Sequence, residues 1–449
     1  MVTNNASGAR MLPPTTLHGN TALRSGHGTI QLDALGAGRR SIFPSVYVYN
    51  LSHRLETGEV LRVSLGFPHG SPGCEALPHG SSEEDDCLFG TEHSVYSPGI
   101  DQHIALRATG TFWLGRIMQR RLTASVHRVF DAEEADLFFI PIWREPLQNH
   151  TDLHTCPSAE KIVSLLPFLN EKTAARHFFI SPRTGIIGMP SLQSRGYDVC
   201  PALQDFKHIQ HPNGSLTAQG LLARTTKVAT EDVECCAGHW GHWAAWSTPC
   251  PNVGSGLNLS AARALRVAAS WQLPRTRLVM ASMGIHGKQA ALRAAWMKQC
   301  RARPVECDSV DFRTNVKGTF LGQDGWGRVL SARLNATFCL EPYGDSPTRK
   351  SVSDSLLLGC IPVLSSPDQR RVWHWHTGAR WDEFSLLHAS SNGVIERLMK
   401  VPQTTIDKLR RGGQRVALHL SYAPEEGRAD AVESILAGVH RSVGRSAAE

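Results

Sequence analysis

Short apolar segments alternate along this chain with segments of helical periodicity, and this alternation constrains the fold more than any other feature. The run from Leu137 to Trp143 is apolar throughout, as is typical of a strand buried on both faces of a sheet. Further strands are predicted at 45–51, 177–181, 277–283, 336–342 and 361–366. Because helical patterns lie between these strands, we expect an α/β fold built on parallel sheets.

A chain of 449 residues exceeds what one hydrophobic core usually organises, so two domains are expected. Residues 1–40 lack apolar periodicity and are predicted to be a disordered or linker segment. Residues 41–262 and 263–449 are the two predicted domains. Within the first, residues 96–122 are predicted to lead from a turn into a helix, and residues 186–262 to be a largely irregular region.

Composition and charge exclude few functions. The formal charge is +7, and the 47 basic residues are spread along the chain, which argues against a nucleic-acid partner and suits any anionic partner, including a nucleotide diphosphate. There is no run of 18 apolar residues, and the first residues lack the apolar core of a signal peptide. The chain as given is therefore expected to be soluble; either it is not secretory or a membrane anchor precedes it.

Two features favour a secretory route. The chain has 11 cysteines and no C-x-x-C pair, a pattern that suits disulfides in an oxidising lumen better than zinc. Sequons for N-glycosylation begin at Asn5, Asn50, Asn149, Asn213, Asn258 and Asn335.

One turn carries most of the chemical signal. The stretch "FCLEPYGDSPTRKSVSDSLLLGCIPVLSS", residues 338–366, is predicted to run from a strand through a polar turn into a helix and a second strand. Such a turn lies where α/β sheets bind ligands. Gly344 allows close approach of the backbone, and Lys350 and Asp354 share a helix face. The same residues also suit a purely structural turn with an i,i+4 ion pair.

This stretch resembles the C-terminal signature of the exostosin-like glycosyltransferases, family 47, which reads approximately FCLxPxGDSxTSRRxFDAIxxGCIPV. Other segments resemble the same family in the same order, namely "VYVYNL", "YSPGIDQHIAL", "RVFDAEEADLFFIPIW", "RHFFISPRTG", "RTRLVMASMGIHG" and "RWDEFSLLH". Together they cover roughly residues 44–422. Within the signature the chain departs from the pattern at Arg349, Lys350, Ser351, Ser353 and Ser355.

The resemblance implies a GT-B fold, in which two Rossmann-like domains face each other across a cleft. It also implies inverting transfer of a sugar from a nucleotide sugar, with a UDP-sugar expected, to a glycan or glycoprotein in the Golgi, behind a membrane anchor. The C-terminal domain would bind the donor and the N-terminal domain the acceptor. The implied donor site consists of Gly344, Asp345, Ser346, Thr348, Lys350 and Asp354, with Arg293 as a partner of the diphosphate. Asp101 and His103 are the candidate bases.

Several alternatives remain open. No metal is required by this reading, and His239 and His242 in "HWGHW" fit an aromatic loop better than a zinc site. An inactive relative that binds glycans or partners an active subunit, alone or in an oligomer, would also fit the altered signature. A dehydrogenase is disfavoured because no G-x-G-x-x-G follows an early strand.

Overall fold

A computed structural model describes residues 44–49, 92–97, 102–107, 114–141, 158–181, 210–229, 245–247, 271–285, 289–311, 323–344, 347–378, 380–422 and 430–446. The chain divides into Met1–Arg40 and Ser41–Glu449, and all described residues belong to the second unit. The predicted boundary near residue 262 lies outside the described residues and stays a prediction.

The described strands fall into two parallel sheets and one antiparallel hairpin. In chain order they are β1 (Val46–Val48), β2 (Glu92–Ser97), β3 (Gln102–Arg107), β4 (Arg128–Val129), β5 (Leu137–Phe139), β6 (His177–Ser181), β7 (Thr226–Ala229), β8 (Ala245–Ser247), β9 (Arg277–Met283), β10 (Cys307–Asp311), β11 (Ala336–Glu341), β12 (Ile361–Leu364) and β13 (Leu386–Leu387).

Helices connect most of these strands. The described α-helices are α1 (Leu114–Thr123), α2 (Ala159–Ser164), α3 (Ala218–Ala223), α4 (Ala290–Arg301), α5 (Gln323–Asn335), α6 (Lys350–Leu357), α7 (His374–Thr377), α8 (Val394–Met399), α9 (Gln403–Ala417) and α10 (Ala431–Ser446). The predicted α/β fold with two parallel sheets is thus confirmed.

The N-terminal sheet has the strand order β4-β1-β5-β6-β7-β8. Successive residues of β5 point to opposite faces, so Leu137 and Phe139 enter one core while Phe138 enters the other. The sheet is therefore buried on both faces, as the apolar run predicted. The hydroxyl of Thr217 caps α3 by accepting the Gly220 N–H at 3.0 Å.

The C-terminal sheet has the order β10-β9-β11-β12-β13. Val279 of β9 lies beside Phe338 of β11, and Phe338 lies beside Ile361 of β12. All three residues join the larger core cluster, which α4, α6, α8 and α9 cover. The other face packs on α5, so this sheet is also buried on both sides.

The two halves of the chain exchange elements. Helix α10, from the C-terminal end, packs in the core of the N-terminal sheet, and a buried ion pair of 3.2 Å joins Arg121 of α1 to Asp430, just before α10. In the other direction, Leu106 of β3 packs with Leu330 and Leu334 of α5 and with two leucines that end α6. Sequence order alone therefore does not decide which half an element packs against.

Residues 96–122 were expected to lead from a turn into a helix. The helix α1 is present at Leu114–Thr123, but the part of this helix expected around Ile104 and Leu106 is wrong, because β2 and β3 form an antiparallel hairpin there in which Tyr96 lies opposite His103. Four residues separate the strands, and Pro98 and Gly99 among them favour a turn. Residues 186–262 were expected to be largely irregular. The described parts of this region, 210–229 and 245–247, contain α3, β7 and β8, and the rest lies outside the described residues. Lys227, which is 1% exposed in β7, interrupts the apolar pattern that would have revealed that strand.

Two disulfides occur among the described residues, in line with the cysteine count. Cys300 at the end of α4 pairs with Cys307 at the start of β10, with Cα atoms 5.2 Å apart. Cys339 of β11 pairs with Cys360, which precedes β12, with Cα atoms 5.8 Å apart. The second disulfide closes the loop that contains α6. None of the described helices has the length and apolar character needed to cross a membrane.

The amino edge of the C-terminal sheet is held by one buried arginine. The guanidinium of Arg275 donates to the carbonyls of Leu334, Leu358 (3.1 Å) and Gly359 (2.9 Å), at the C-terminal ends of α5 and α6. Burial, and secondarily the nearby Arg410, lowers the pKa of Arg275 to about 9. A cation at two helix C-termini is favourably placed, and it fixes how α6 lies against the sheet.

Candidate functional site

The candidate site lies at the carboxyl edge of the C-terminal sheet. There β9, β11 and β12 end at Met283, Glu341 and Leu364, and the chain enters the segments that follow each strand. In open α/β sheets this edge is where ligands bind. The turn predicted at 342–350 lies here, between β11 and α6, which begins at Lys350.

Arg293 of α4 ties two of these segments together. Its Nε and Nη2 donate to the Tyr343 carbonyl at 3.2 and 2.6 Å, and its Nη1 donates to the Gly284 carbonyl at 3.0 Å. Its side chain is 1% exposed. The guanidinium thus links the ends of β9 and β11, and its predicted contact with a diphosphate stays a prediction.

Glutamines join the third strand end to the same frame. The hydroxyl of Ser365 accepts the Tyr343 N–H at 2.8 Å and donates to Oε1 of Gln289 at 2.5 Å. Nε2 of Gln369 donates to the Glu341 carbonyl at 3.0 Å, while its Oε1 accepts the Ser365 N–H at 2.9 Å. Hydrogen bonds therefore connect the ends of β9, β11 and β12 and hold them in fixed positions relative to one another.

The turn itself is only partly described. Gly344 and Thr348 are buried, whereas the predicted site residues Asp345 and Ser346 lie outside the described residues. Nη1 of Arg349 donates to the Pro342 carbonyl at 3.0 Å, which folds the turn back on itself. Arg349 precedes α6 and its side chain makes no capping hydrogen bond. The first-turn N–H groups of α6 thus lack the usual side-chain cap, and such groups suit an anionic ligand.

Lys350 and Asp354 form the i,i+4 pair that their spacing suggests. Nζ of Lys350 lies 3.0 and 2.9 Å from the two carboxylate oxygens of Asp354. The side chains are 18% and 11% exposed, so the pair is largely shielded from water. An ammonium has three donors, so this arrangement neutralises most of the charge of Lys350 while it leaves donor capacity for a ligand.

A buried network beneath α6 was not predicted from the sequence. The Glu341 carboxylate at the end of β11 pairs with Nη1 of Arg333 on α5, and both side chains are at most 4% exposed. The hydroxyls of Ser351 and Ser355 on α6 donate to the same carboxylate, the latter at 2.8 Å. Nη1 of Arg333 also donates to the Ser351 carbonyl at 2.8 Å. This network fixes the first turn of α6 on the sheet.

The structure says less about the two candidate bases, Asp101 and His103. Asp101 lies outside the described residues. His103 was expected at the start of a helix, but it lies on the strand β3. Leu106, three residues further, packs beside the C-terminal ends of α5 and α6, which lie at the amino edge of the C-terminal sheet. The role of either residue as a base stays a prediction.

No group of three or more potential metal ligands occurs among the residues that the structure describes. His239 and His242 lie outside them.

Comparison with known proteins identifies the part of the chain that contains this edge. Residues 262–396 match the Exostosin GT47 domain. The predicted resemblance is confirmed over these residues, which include β9 to β13 together with every described residue of the candidate donor site. For residues 44–261 and 397–422 the resemblance stays a prediction.

Plant enzymes are among the relatives of this chain. The chain is 36% identical over 134 residues to xyloglucan-specific galacturonosyltransferase 1 of Arabidopsis thaliana, which is 28% of this chain and 19% of that protein. It is 28% identical over 144 residues to the probable xyloglucan galactosyltransferase GT15 (30% and 29%) and 26% identical over 144 residues to xyloglucan galactosyltransferase MUR3 (30% and 22%) of the same plant. The match spans less than a third of each of these relatives.

Proposed function

We propose that this protein is a glycosyltransferase that transfers a sugar from a nucleotide-sugar donor to a glycan. One observation carries the proposal: residues 262–396 match the exostosin GT47 domain and contain the hydrogen-bonded carboxyl edge at which the strands end. A UDP-sugar is the proposed donor, and transfer with inversion in a GT-B cleft is the proposed reaction. The transferred sugar is a hexose or a pentose.

The chemistry needs groups that stabilise a departing nucleotide diphosphate. A helix N-terminus and cations supply such stabilisation because they are fixed before the charge develops. The uncapped first turn of α6 and the neighbouring Lys350 are suited to this role. Asp354 holds Lys350 in place and retains lone pairs that can accept from ribose hydroxyls.

The acceptor and the cellular location belong to the same proposal. The relatives named above are described as acting on xyloglucan, so a polysaccharide is the first acceptor to test, with glycoprotein glycans as the second. Golgi location behind a membrane anchor follows from the family resemblance. Asp101 and His103 remain the proposed bases for the acceptor hydroxyl.

The test is a calorimetric and thermal-shift screen of the folded full chain against UDP, GDP and their common sugars, with and without EDTA. We expect one nucleotide sugar to bind, and we expect Asp354→Ala to weaken that binding at least tenfold, because the variant releases Lys350 and removes the ribose acceptor. Asp368→Ala is the matched control, since Asp368 pairs with Arg371 on the surface, with side chains 56% and 71% exposed.

The outcomes separate the two readings of the altered signature. A donor that binds wild type and Asp368→Ala but not Asp354→Ala supports the transferase, and radiolabel transfer from that donor to xyloglucan oligosaccharides then tests turnover. If a folded sample binds none of the nucleotide sugars, the proposal is wrong and an inactive glycan-binding or partner subunit becomes the better reading.

A further inference from the structure

Two of the six sequons lie in the described part of the chain, and the structure separates them. Asn213 begins the sequon Asn-Gly-Ser shortly before α3, and Asn335 begins the sequon Asn-Ala-Thr at the end of α5. A glycan can be carried by the folded chain only where the asparagine amide reaches solvent. The two asparagines differ in this respect, since Asn213 is exposed and Asn335 is half-buried.

Asn213 lies at the tip of a tight hairpin. Gln210 and Leu216 form an antiparallel bridge, and residues 211–215 between them are all exposed. The Gly214 N–H donates to the His211 carbonyl at 2.9 Å, and Gly214 has a φ of +84°. This is a type I turn followed by a left-handed glycine, the usual form of a three-residue hairpin loop.

The side chain of Asn213 is oriented within this loop. Its Oδ1 accepts hydrogen bonds from the Ser215 N–H at 3.1 Å and from the Ser215 hydroxyl at 2.7 Å. Within the described part of the chain, its amide nitrogen Nδ2 donates no hydrogen bond. The carbonyl end is therefore held by the third residue of the sequon while the nitrogen end projects from the tip of the loop.

Asn335 is more confined than Asn213. It is the last residue of α5 and is followed directly by β11, it is half-buried, and Ala336 beside it is 0% exposed. Its Oδ1 is buried without a hydrogen-bond partner among the described residues. This junction of helix and strand leaves less room for an oligosaccharide than the exposed loop tip at Asn213.

We propose that Asn213 carries an N-linked oligosaccharide and that Asn335 does not; this rests on the proposed secretory location. In the reaction, Nδ2 of Asn213 attacks the anomeric carbon of an oligosaccharide linked to a lipid diphosphate. The N–C bond forms as the C–O bond to the diphosphate breaks, the lipid diphosphate leaves with the electron pair, and one amide proton passes to a base of the transferring enzyme.

The glycan would not obstruct the candidate donor site. The Leu216 N–H donates to Oε1 of Glu171 at 3.0 Å, and Glu171 lies six residues before His177, the first residue of β6. The hairpin is thereby fixed on the amino-edge side of the N-terminal sheet. The candidate donor site lies on the other sheet, at the carboxyl ends of β9, β11 and β12, so loss of the glycan should leave donor binding unchanged.

The test uses the full chain secreted from eukaryotic cells behind a cleavable leader. Site-specific mass spectrometry after deglycosylation in heavy-oxygen water reads each sequon separately, so the four sequons outside the described residues do not interfere. We expect the Asn213 peptide to be occupied in wild type, unoccupied in Ser215→Ala, and occupied again in Ser215→Thr. Asn335→Gln should remove no glycan.

Each outcome decides the inference. An unmodified Asn213 in folded, secreted wild-type protein overturns it, whatever the other sequons carry, and an occupied Asn335 contradicts the burial argument. Thermal-shift measurements with the nucleotide sugars on the same samples keep the two proposals apart. A protein that is glycosylated at Asn213 and binds no donor would sink the transferase proposal and leave this inference standing.

Discussion

Replacing Glu341 with glutamine should destabilise the C-terminal half strongly, because the buried network under α6 depends on that charge. Glutamine has nearly the same shape as glutamate but is neutral, and its amide group must face a guanidinium. Glu341 is 1% exposed and Arg333 is 3% exposed, so water cannot replace the lost carboxylate. The hydroxyls of Ser351 and Ser355 would also lose their charged acceptor.

The expected loss in the free energy of unfolding is about 3 to 5 kcal/mol, the usual cost of leaving one partner of a buried ion pair unpaired. Glu396→Gln provides the matched control. Glu396 pairs with Arg303 at 2.7 Å, but the two side chains are 45% and 38% exposed, and exposed pairs contribute about 0 to 1 kcal/mol. The two variants thus make the same chemical change in the same half of the chain at different depths.

The assay is urea unfolding followed by circular dichroism and tryptophan fluorescence, with donor affinity measured on samples that remain folded. Equal midpoints for Glu341→Gln and Glu396→Gln would refute the reasoning. The double variant Arg333→Met, Glu341→Leu should recover most of the stability, since apolar replacements of buried ion pairs are often tolerated. It should not recover donor affinity, because Ser351 and the first turn of α6 would still lack their anchor.

Two further predictions concern packing and pH. A Cβ atom on Gly413 of α9 would lie 2.0 Å from the ring of Trp271, so Gly413→Ala should lower the free energy of unfolding by about 1 to 3 kcal/mol. A Cβ atom on Gly327 of α5 would meet nothing within 4 Å, so Gly327→Ala should raise it by about 0.5 to 1 kcal/mol. Thermal unfolding compares the two variants. Burial lowers the pKa of His177 from 6.5 to about 4, so between pH 6.5 and pH 4 the folded state binds fewer protons than the unfolded chain. The free energy of unfolding should therefore fall by roughly 3 kcal/mol as the pH drops through this range, and less steeply in His177→Asn. Urea midpoints measured across the range would show a flat profile if the argument is wrong.

Three strands of the C-terminal sheet, β9, β11 and β12, could be predicted closely because each is a short, largely buried apolar run. The other two, β10 with its two aspartates and the two-residue β13, were not predicted. The strand predicted at 277–283 is β9, and the predicted helix after the signature turn is α6, which begins at Lys350. Buried parallel strands need apolar residues on both faces, so the pattern leaves little choice. The hairpin of β2 and β3 escaped prediction because polar and apolar residues are mixed in both strands and the helix α1 follows closely.

The site was predictable only in part, and for a related reason. The turn composition and the i,i+4 spacing indicate Lys350 and Asp354 directly. The contact between Arg333 and Glu341 joins a helix to the strand that follows it, and no periodicity in the sequence marks such a pair. For Arg293, the charge suggested contact with an anionic ligand. In the structure its guanidinium donates to the backbone carbonyls of Gly284 and Tyr343, a role that the sequence does not indicate.

The network also explains how the chain accommodates its departure from the family signature. At the second of the two signature arginines this chain has Ser351, whose hydroxyl is directed inward to the Glu341 carboxylate. Glu341 is already balanced by Arg333, so a second cation at position 351 is not needed to satisfy it. The first turn of α6 is thus anchored by a short neutral side chain. For the proposed donor, positive potential would come from the helix N-terminus and from Lys350, most of whose charge Asp354 neutralises. We therefore predict that donor recognition depends more on backbone N–H groups and less on side-chain charge than the signature implies.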